Sequence, residues 1–261
     1  MKIISFSQTL LVASIAYGVT DGATTRRSAQ LTQGSTWTLE AWGPPDSYTN
    51  GKTDMIDVDF MTKSKSYIES LVKGGQTVVC YISAGTAEEW RPDYLALEEY
   101  CSSDSGYSRE CWLDITKWKS WRHLMKNRLE SAQEKGCMGI EPDNTDSHSH
   151  DSVPGKTKKE MTTYMVEYVK WLAEETHNLG MIIGLKNTLD LIPELVDHVD
   201  FAINESCQKY AKYDECALYE PFVEQNKAVF AVEWSTEGDC SDAAKMGLAR
   251  KYERNGEWID C

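Results

Sequence analysis

Short apolar runs alternate with longer stretches of helical periodicity along this chain, and that alternation limits the fold more than any other feature. Eight runs read as strands, at residues 37–42, 55–60, 77–83, 112–115, 138–141, 181–186, 201–204 and 228–234. Amphipathic helices lie between several of them. One is predicted over 158–179, where Met161, Tyr164, Met165, Tyr168, Val169, Leu172 and Leu179 keep to helical steps and Gly180 acts as a stop. A second covers 118–135, with Trp121, Met125, Leu129 and Ala132 on one face and Gly136 at its end, and a third covers 242–254. Strands separated by helices pair in parallel through crossovers. Eight such units in about 225 residues predict a single-domain α/β fold, a (β/α)8 TIM barrel. A doubly wound open sheet is the second architecture that suits the pattern.

Residues 1–18 read as a signal peptide. Lys2 supplies the positive start, the run from Ile3 to Tyr17 is mostly apolar though interrupted by Ser7, Gln8 and Thr9, and Ala16 with Gly18 offers a small-x-small cleavage site. The run is too short and broken to cross a bilayer, and nothing later reaches about 18 continuous apolar residues. A secreted, extracellular protein with no membrane partner is therefore expected. Residues 19–35, rich in Thr, Ser, Gln and Gly around Arg26–Arg27, read as a flexible lead-in or processed segment, leaving 36–261 for the barrel.

Eight cysteines follow the leader, an even number that suits an oxidising compartment. None forms a CxxC pair, so zinc-ribbon and thioredoxin-type motifs do not fit. Cys101–Cys111, Cys207–Cys216 and Cys240–Cys261 would each close a local loop, which leaves Cys80 with Cys137; other connectivities stay open at this point. The net charge of −14 and the absence of a basic stripe argue against a nucleic-acid partner, while an acidic surface gathers cations. With no P-loop, GxGxxG or GxSxG run, nucleotide and serine-hydrolase chemistry lack support and no cofactor is expected. A monomer is the expected state.

Polar residues crowd the ends of the predicted strands. Asp57 and Asp59 share one face of their strand, opposite Ile56 and Val58. Later strands run out into Glu141, Asp143, Asn144 and Asp146, into Lys186 and Asn187, into Asn204 and Glu205, and into Glu233 and Trp234. In a barrel of this type such ends build the active site. Paired carboxylates are what glycoside hydrolysis requires, and a lysine such as Lys186 keeps one of them ionised. Tyr81, Trp90 and Trp234 are candidates for stacking on sugar rings, with core packing as the alternative.

The runs Asp57-Val58-Asp59-Phe60, Cys80-Tyr81-Ile82-Ser83-Ala84-Gly85, Trp90-Arg91-Pro92-Asp93, Trp112-Leu113-Asp114-Ile115, Glu141-Pro142-Asp143-Asn144, Gly184-Leu185-Lys186-Asn187 and Asn204-Glu205-Ser206-Cys207 occur in one order over residues 37–234. Together they resemble glycoside hydrolase family 114. The resemblance implies a TIM barrel with endo-α-1,4-polygalactosaminidase activity on galactosaminogalactan or a related polymer. It implies that Asp143 is the nucleophile and Glu205 the acid/base of a retaining mechanism. Substrate contacts are then expected from Trp90, Arg91, Asp93, Asn144, Lys186 and Asn187. Deacetylated galactosamine is cationic near neutral pH, so Asp57, Asp59, Asp146 and Glu233 become candidates for ammonium recognition. The chain departs from the family pattern at Ser147-His148, where Gly-Tyr is usual, and at Ser206, where Gln is usual. Ser206 also creates the sequon Asn204-Glu205-Ser206, which is expected to stay unmodified beside Glu205.

Two rival readings exist. His148 and His150 have His-x-His spacing that a metal-dependent polysaccharide deacetylase could use, against the expectation of no metal. A barrel with aromatic and acidic loops could also bind a polysaccharide without cutting it.

Overall fold

The structure, a computed structural model, describes residues 29–39, 53–209, 215–234, 240–254 and 257–261. The expected signal peptide, residues 19–28 of the lead-in and residues 40–42 of the first expected strand lie outside them. In chain order the elements are β1 (Trp37–Leu39), β2 (Met55–Asp59), α1 (Lys65–Lys73), β3 (Thr77–Ser83), β4 (Thr86–Glu88), α2 (Tyr94–Leu97), β5 (Cys101–Asp104), β6 (Glu110–Leu113), α3 (Trp118–Lys135), β7 (Gly139–Asp143) and α4 (Lys158–Asn178). They continue with β8 (Ile182–Lys186), α5 (Ile192–Leu195), β9 (Phe201–Glu205), α6 (Glu220–Glu224), β10 (Val229–Glu233), α7 (Cys240–Met246), β11 (Ala249–Arg254) and β12 (Glu257–Asp260).

Eight strands run parallel in the order β1-β2-β3-β7-β8-β9-β10-β11, and β12 turns back antiparallel on β11. The order never reverses, so the sheet has no switch point of the doubly wound kind. It curls instead into the (β/α)8 barrel that the alternation predicts. At the seam, Trp37 Nε1 donates to Ala249 O at 2.9 Å and Trp258 Nε1 donates to Leu39 O at 3.1 Å. Indole side chains thus bridge the gap between the first and last strands.

One of the eight expected barrel strands needs correction, and one barrel strand lies where a helix was expected. Residues 112–115 fall at the end of β6, which pairs antiparallel with β4 and β5 in a separate three-stranded sheet. They have no place in the barrel because β3 pairs directly with β7. The eighth barrel strand is β11, inside the stretch expected to be one helix. Helix α7 stops at Met246, Gly247 takes a φ of 71°, and the chain re-emerges extended.

The two long predicted helices form as expected. Thr157 and Glu160 cap α4 reciprocally, each side chain satisfying the other residue's backbone N–H. Helix α3 ends at Gly136, whose φ of 105° suits only glycine. Their apolar faces pack on the outside of the sheet around Trp121, Met125, Met165 and Tyr168. A second cluster, with Trp37, Met55, Val79, Phe201 and Phe230, fills the barrel below the site. Four disulfides form, the local pairs Cys101–Cys111, Cys207–Cys216 and Cys240–Cys261 that spacing suggests and the remaining pair Cys80–Cys137. No helix of the described residues is long and apolar enough to cross a membrane.

Gly85 fixes how closely the β3–β4 turn approaches the end of β7. A Cβ at this position would sit 1.8 Å from Asn144 O, while Ala84 N donates to Asp143 O at 2.8 Å. Gly85→Ala must therefore push Asp143 outward. The expected cost is about 1–3 kcal/mol of stability, together with most of the turnover. Unchanged turnover would show that the approach does not matter.

Candidate active site

Inward-facing positions alternate along each strand, so register decides which polar side chains meet. Asp57 is level with Val79 and Gly139; one step higher Asp59, Tyr81 and Glu141 align; one step higher again Ser83 aligns with Asp143. Lys186, the last residue of β8, is buried, and its Nζ lies 2.6 Å from Glu141 Oε1, 3.3 Å from Asp143 Oδ1 and 3.7 Å from Glu205 Oε2. The last two distances cap the separation of those Asp143 and Glu205 oxygens at their total, about 7 Å. Burial alone would lower the Lys186 pKa, but Asp143, Glu141 and Glu205 outweigh it and hold the ammonium well above its ordinary value.

Glu205 is held at both ends. Its Oε1 accepts from Trp234 Nε1 at 3.0 Å, and its backbone N–H donates to Asn187 Oδ1 at 2.9 Å. The residues that follow the three strand ends, Asn144, Asn187, Thr188 and Ser206, have φ values of 62°, 49°, 50° and 68°. Left-handed backbone is uncommon for non-glycine residues and costly for a β-branched one. Here it turns the chain sharply just after Asp143, Lys186 and Glu205.

Below this level Asp57 is fully buried. Among the described residues neither of its oxygens meets an ordinary donor, and Glu141 Oε2 is equally unmatched. Burial and then the Glu141 charge push the Asp57 carboxyl well above the usual range; burial also raises Glu141, against the pull of Lys186. A proton on Asp57, donated to Glu141, matches one Asp57 oxygen with Glu141 Oε2. The folded chain thus keeps a proton that the unfolded chain loses near pH 4, roughly. The contribution of this group is complete below that pH and declines as pH rises toward the folded pKa. Asn at this position donates as the protonated carboxyl does. Asp57→Asn is therefore expected to melt at or above the wild-type temperature at pH 7, with the difference vanishing below about pH 4. A variant several degrees less stable at pH 7 would refute the protonated carboxyl.

A cleft of about 580 Å³ opens above the pair, lined by Asp143 and Glu205 together with Tyr81, Trp90, Asn144, Asp146, Asn187 and Trp234 from the sequence-derived set. The remaining members are placed elsewhere. Asp57 and Lys186 lie beneath the floor. Asp59 and Arg91 are spent on each other at 2.7 Å, and Arg91 also holds Glu88 at 2.7 Å. Asp93 pairs with Arg128 at 2.7 Å, away from the cleft. Glu233 has the opposite parity to Val232 and points behind the sheet, where it accepts from the backbone N–H of Gln208 at 2.7 Å and steadies the loop after Glu205. Asp57, Asp59, Arg91, Asp93, Lys186 and Glu233 are thus outside the lining of the cleft, buried or held by other protein groups.

The cleft also gathers residues that the strand-end argument does not supply. Glu88, Glu110 and Trp112 come from the small sheet, Ser105 and Tyr107 from the turn between β5 and β6, His150 from the loop after β7, and Ser206 from the turn after Glu205. The length of the segment after β3 signalled that it would cover the active face, but not which side chains it would offer. His148 and His150 diverge. His148 is buried with Nε2 2.9 Å from Asp190 Oδ1, whereas His150 stacks on Trp112 with centroids 5.0 Å apart. Among the described residues the one cluster with metal-ligand spacing is Cys207, Cys216 and Glu233, whose cysteines are already joined to each other.

The sequence model of glycoside-hydrolase family GH114 matches residues 19–257. The chain belongs to this family. Among solved structures, Ega3 of Aspergillus fumigatus in complex with galactosamine matches this GH114 barrel with a TM-score of 0.77 at 30% identity, over 92% of this chain and 100% of that one. The glycoside hydrolase domain of PelA from Pseudomonas aeruginosa matches with a TM-score of 0.67 at 14% identity, over 87% and 96%, a likeness of fold. An uncharacterized protein of Methanocaldococcus jannaschii is 25% identical over 154 residues, 53% of this chain and 44% of that protein. The chain thus matches less than half the length of that curated relative. The GH114 chain is a glycoside hydrolase on a TIM barrel, and the sequence resemblance to this family holds.

Proposed function

We propose that this GH114 chain is a secreted, endo-acting hydrolase of α-1,4-linked galactosamine and N-acetylgalactosamine polymers, with Asp143 as nucleophile and Glu205 as acid/base. The observation that carries the reading is the shared ammonium of Lys186, which keeps the two carboxyl groups within about 7 Å of each other. Retaining enzymes place the pair about 5–5.5 Å apart and inverting enzymes about 6.5–9.5 Å apart, so the cap favours retention. In the first step an Asp143 oxygen bonds to the anomeric carbon as the glycosidic C–O bond breaks, and Glu205 gives its proton to the leaving oxygen. In the second step Glu205 takes a proton from water, whose oxygen displaces Asp143. The closer ammonium at Asp143 suits the residue that attacks and later leaves as an anion.

The galactosamine bound to Ega3 supports the sugar class. Five carboxylates in the cleft, Glu88, Glu110, Asp143, Asp146 and Glu205, suit an ammonium-bearing polymer. Trp90 and Tyr107, exposed at 50% and 70%, offer faces for sugar rings along an open cleft, as endo cutting requires. Four disulfides suit an oxidising, extracellular setting. Reducing-end release from partly deacetylated α-1,4-galactosamine polymer, with product sizing, tests the whole reading. Early products should be oligomers; release of monosaccharide alone refutes endo action, and no release refutes the substrate.

The sequon offers an independent check. Asn204 is buried, its Oδ1 accepts from Cys207 N at 2.8 Å, and its Nδ2, the atom that would carry a glycan, faces Asn187 Oδ1 at 3.5 Å. Peptide mass spectrometry of the protein from a glycosylating host should find Asn204 unmodified. A glycan there would be incompatible with the cleft as described.

A further inference from the structure

The carboxylates of the cleft differ in one respect that bears on specificity. Asp143 and Glu205 share Lys186, Glu88 is paired with Arg91, and Asp146 faces His150 at 3.5 Å. Among the described residues Glu110 is the cleft carboxylate with no cationic partner of its own. It lies directly opposite Glu88 across the β4–β6 ladder, and like charges in that position are destabilising. A carboxylate kept there without a protein cation is suited to a cation brought by the substrate.

Its position relative to the catalytic centre is also set. The Thr86 hydroxyl is near enough to the Glu110 carboxyl to favour its charged form, and Asn144 Nδ2 donates to Thr86 Oγ1 at 3.2 Å and to Ser83 Oγ at 3.0 Å. Asn144 is the residue next to Asp143, so a short polar chain connects Glu110 to the floor at the nucleophile. The exposed rings of Trp90 and Tyr107 line the same cleft. We propose that Glu110 is a specificity-determining residue that binds the 2-ammonium group of a deacetylated galactosamine unit beside the catalytic centre, with an aromatic face against the ring. An N-acetyl group at that position carries no charge and is bulkier, so Glu110 favours deacetylated units. The assignment rests on the substrate class proposed above.

The test compares the wild-type chain with Glu110→Gln and Glu110→Asp on two polymers, α-1,4-galactosamine that is largely deacetylated and the same polymer fully N-acetylated. Gln keeps the shape and the Thr86 contact but removes the charge. The ratio of kcat/KM, deacetylated over acetylated, should fall about tenfold in Glu110→Gln, as expected for loss of a charge-assisted contact. The fall should appear in KM, and Glu110→Asp should restore part of it. Added salt should erode the wild-type preference more than that of Glu110→Gln. If Glu110→Gln keeps the wild-type ratio, or loses activity equally on both polymers, the assignment is wrong while the substrate reading stands. A wild type that cuts neither polymer overturns both.

Discussion

Turnover by Asp143→Asn and by Glu205→Gln is expected to fall by at least about 10²–10⁴-fold, with both variants folded. Each amide keeps the shape of the group it replaces. Gln at 205 still accepts from Trp234 Nε1, and with Asn at 143 Lys186 retains Glu141 at 2.6 Å. The two defects should differ in kind. Glu205→Gln lacks the proton donor, so an aryl galactosaminide with a good leaving group bypasses its first step. Azide then rescues turnover by displacing Asp143 from the sugar. Asp143→Asn lacks the attacking oxygen and gains nothing from a better leaving group. Kinetics on aryl and polymeric substrates, with and without azide, separate the roles. Rescue of the wrong variant would exchange them.

Replacing Lys186 by Met is expected to destabilise the fold by about 3–5 kcal/mol, the usual cost of stranding buried charge. Glu141 would lose the contact at 2.6 Å while remaining buried beside Asp57 and Asp143. The pH dependence is specific. The folded-state pKa of Lys186 is raised, so its contribution is complete below about pH 10 and is lost as pH climbs through the folded value. In the variant the stranded carboxyls must take up protons, which is easiest in acid. The stability gap should therefore be widest near pH 7 and should narrow as pH falls through about 4. Denaturant unfolding at both pH values measures it. Equal midpoints at pH 7 would mean that the ammonium does not hold the barrel floor together.

The features legible in the sequence rest on local periodicity. Apolar steps of three and four reveal α3 and α4, and the glycines that end them stand in the sequence as Gly136 and Gly180. Alternation put Asp57 and Asp59 inside β2, and that holds. The losses concern long-range choices. Trp112-Leu113-Asp114-Ile115 has the local character of a barrel strand, but its place depends on β3 having already paired with β7. Strand β11 is hidden in the sequence because Gly247 is a faint local sign that the helix stops two residues before it. Glu233 shows how narrow the margin is, since its neighbour Val232 is level with Glu205 and a single residue reverses the face. Charges at strand ends are visible in sequence. Which of them are already spent on Arg91, Arg128 or a backbone N–H is visible only once partners far apart in the chain are brought together.

The central claim is that Asp143 attacks the sugar while Glu205 manages the proton, and the anomeric form of the newly made end tests it most directly. Proton NMR of an α-1,4-galactosamine oligomer mixed with the wild-type chain should show the α-anomer first, with the β-anomer growing in only as mutarotation proceeds. An initial β-anomer would mean that water attacks directly and that Asp143 is not the nucleophile.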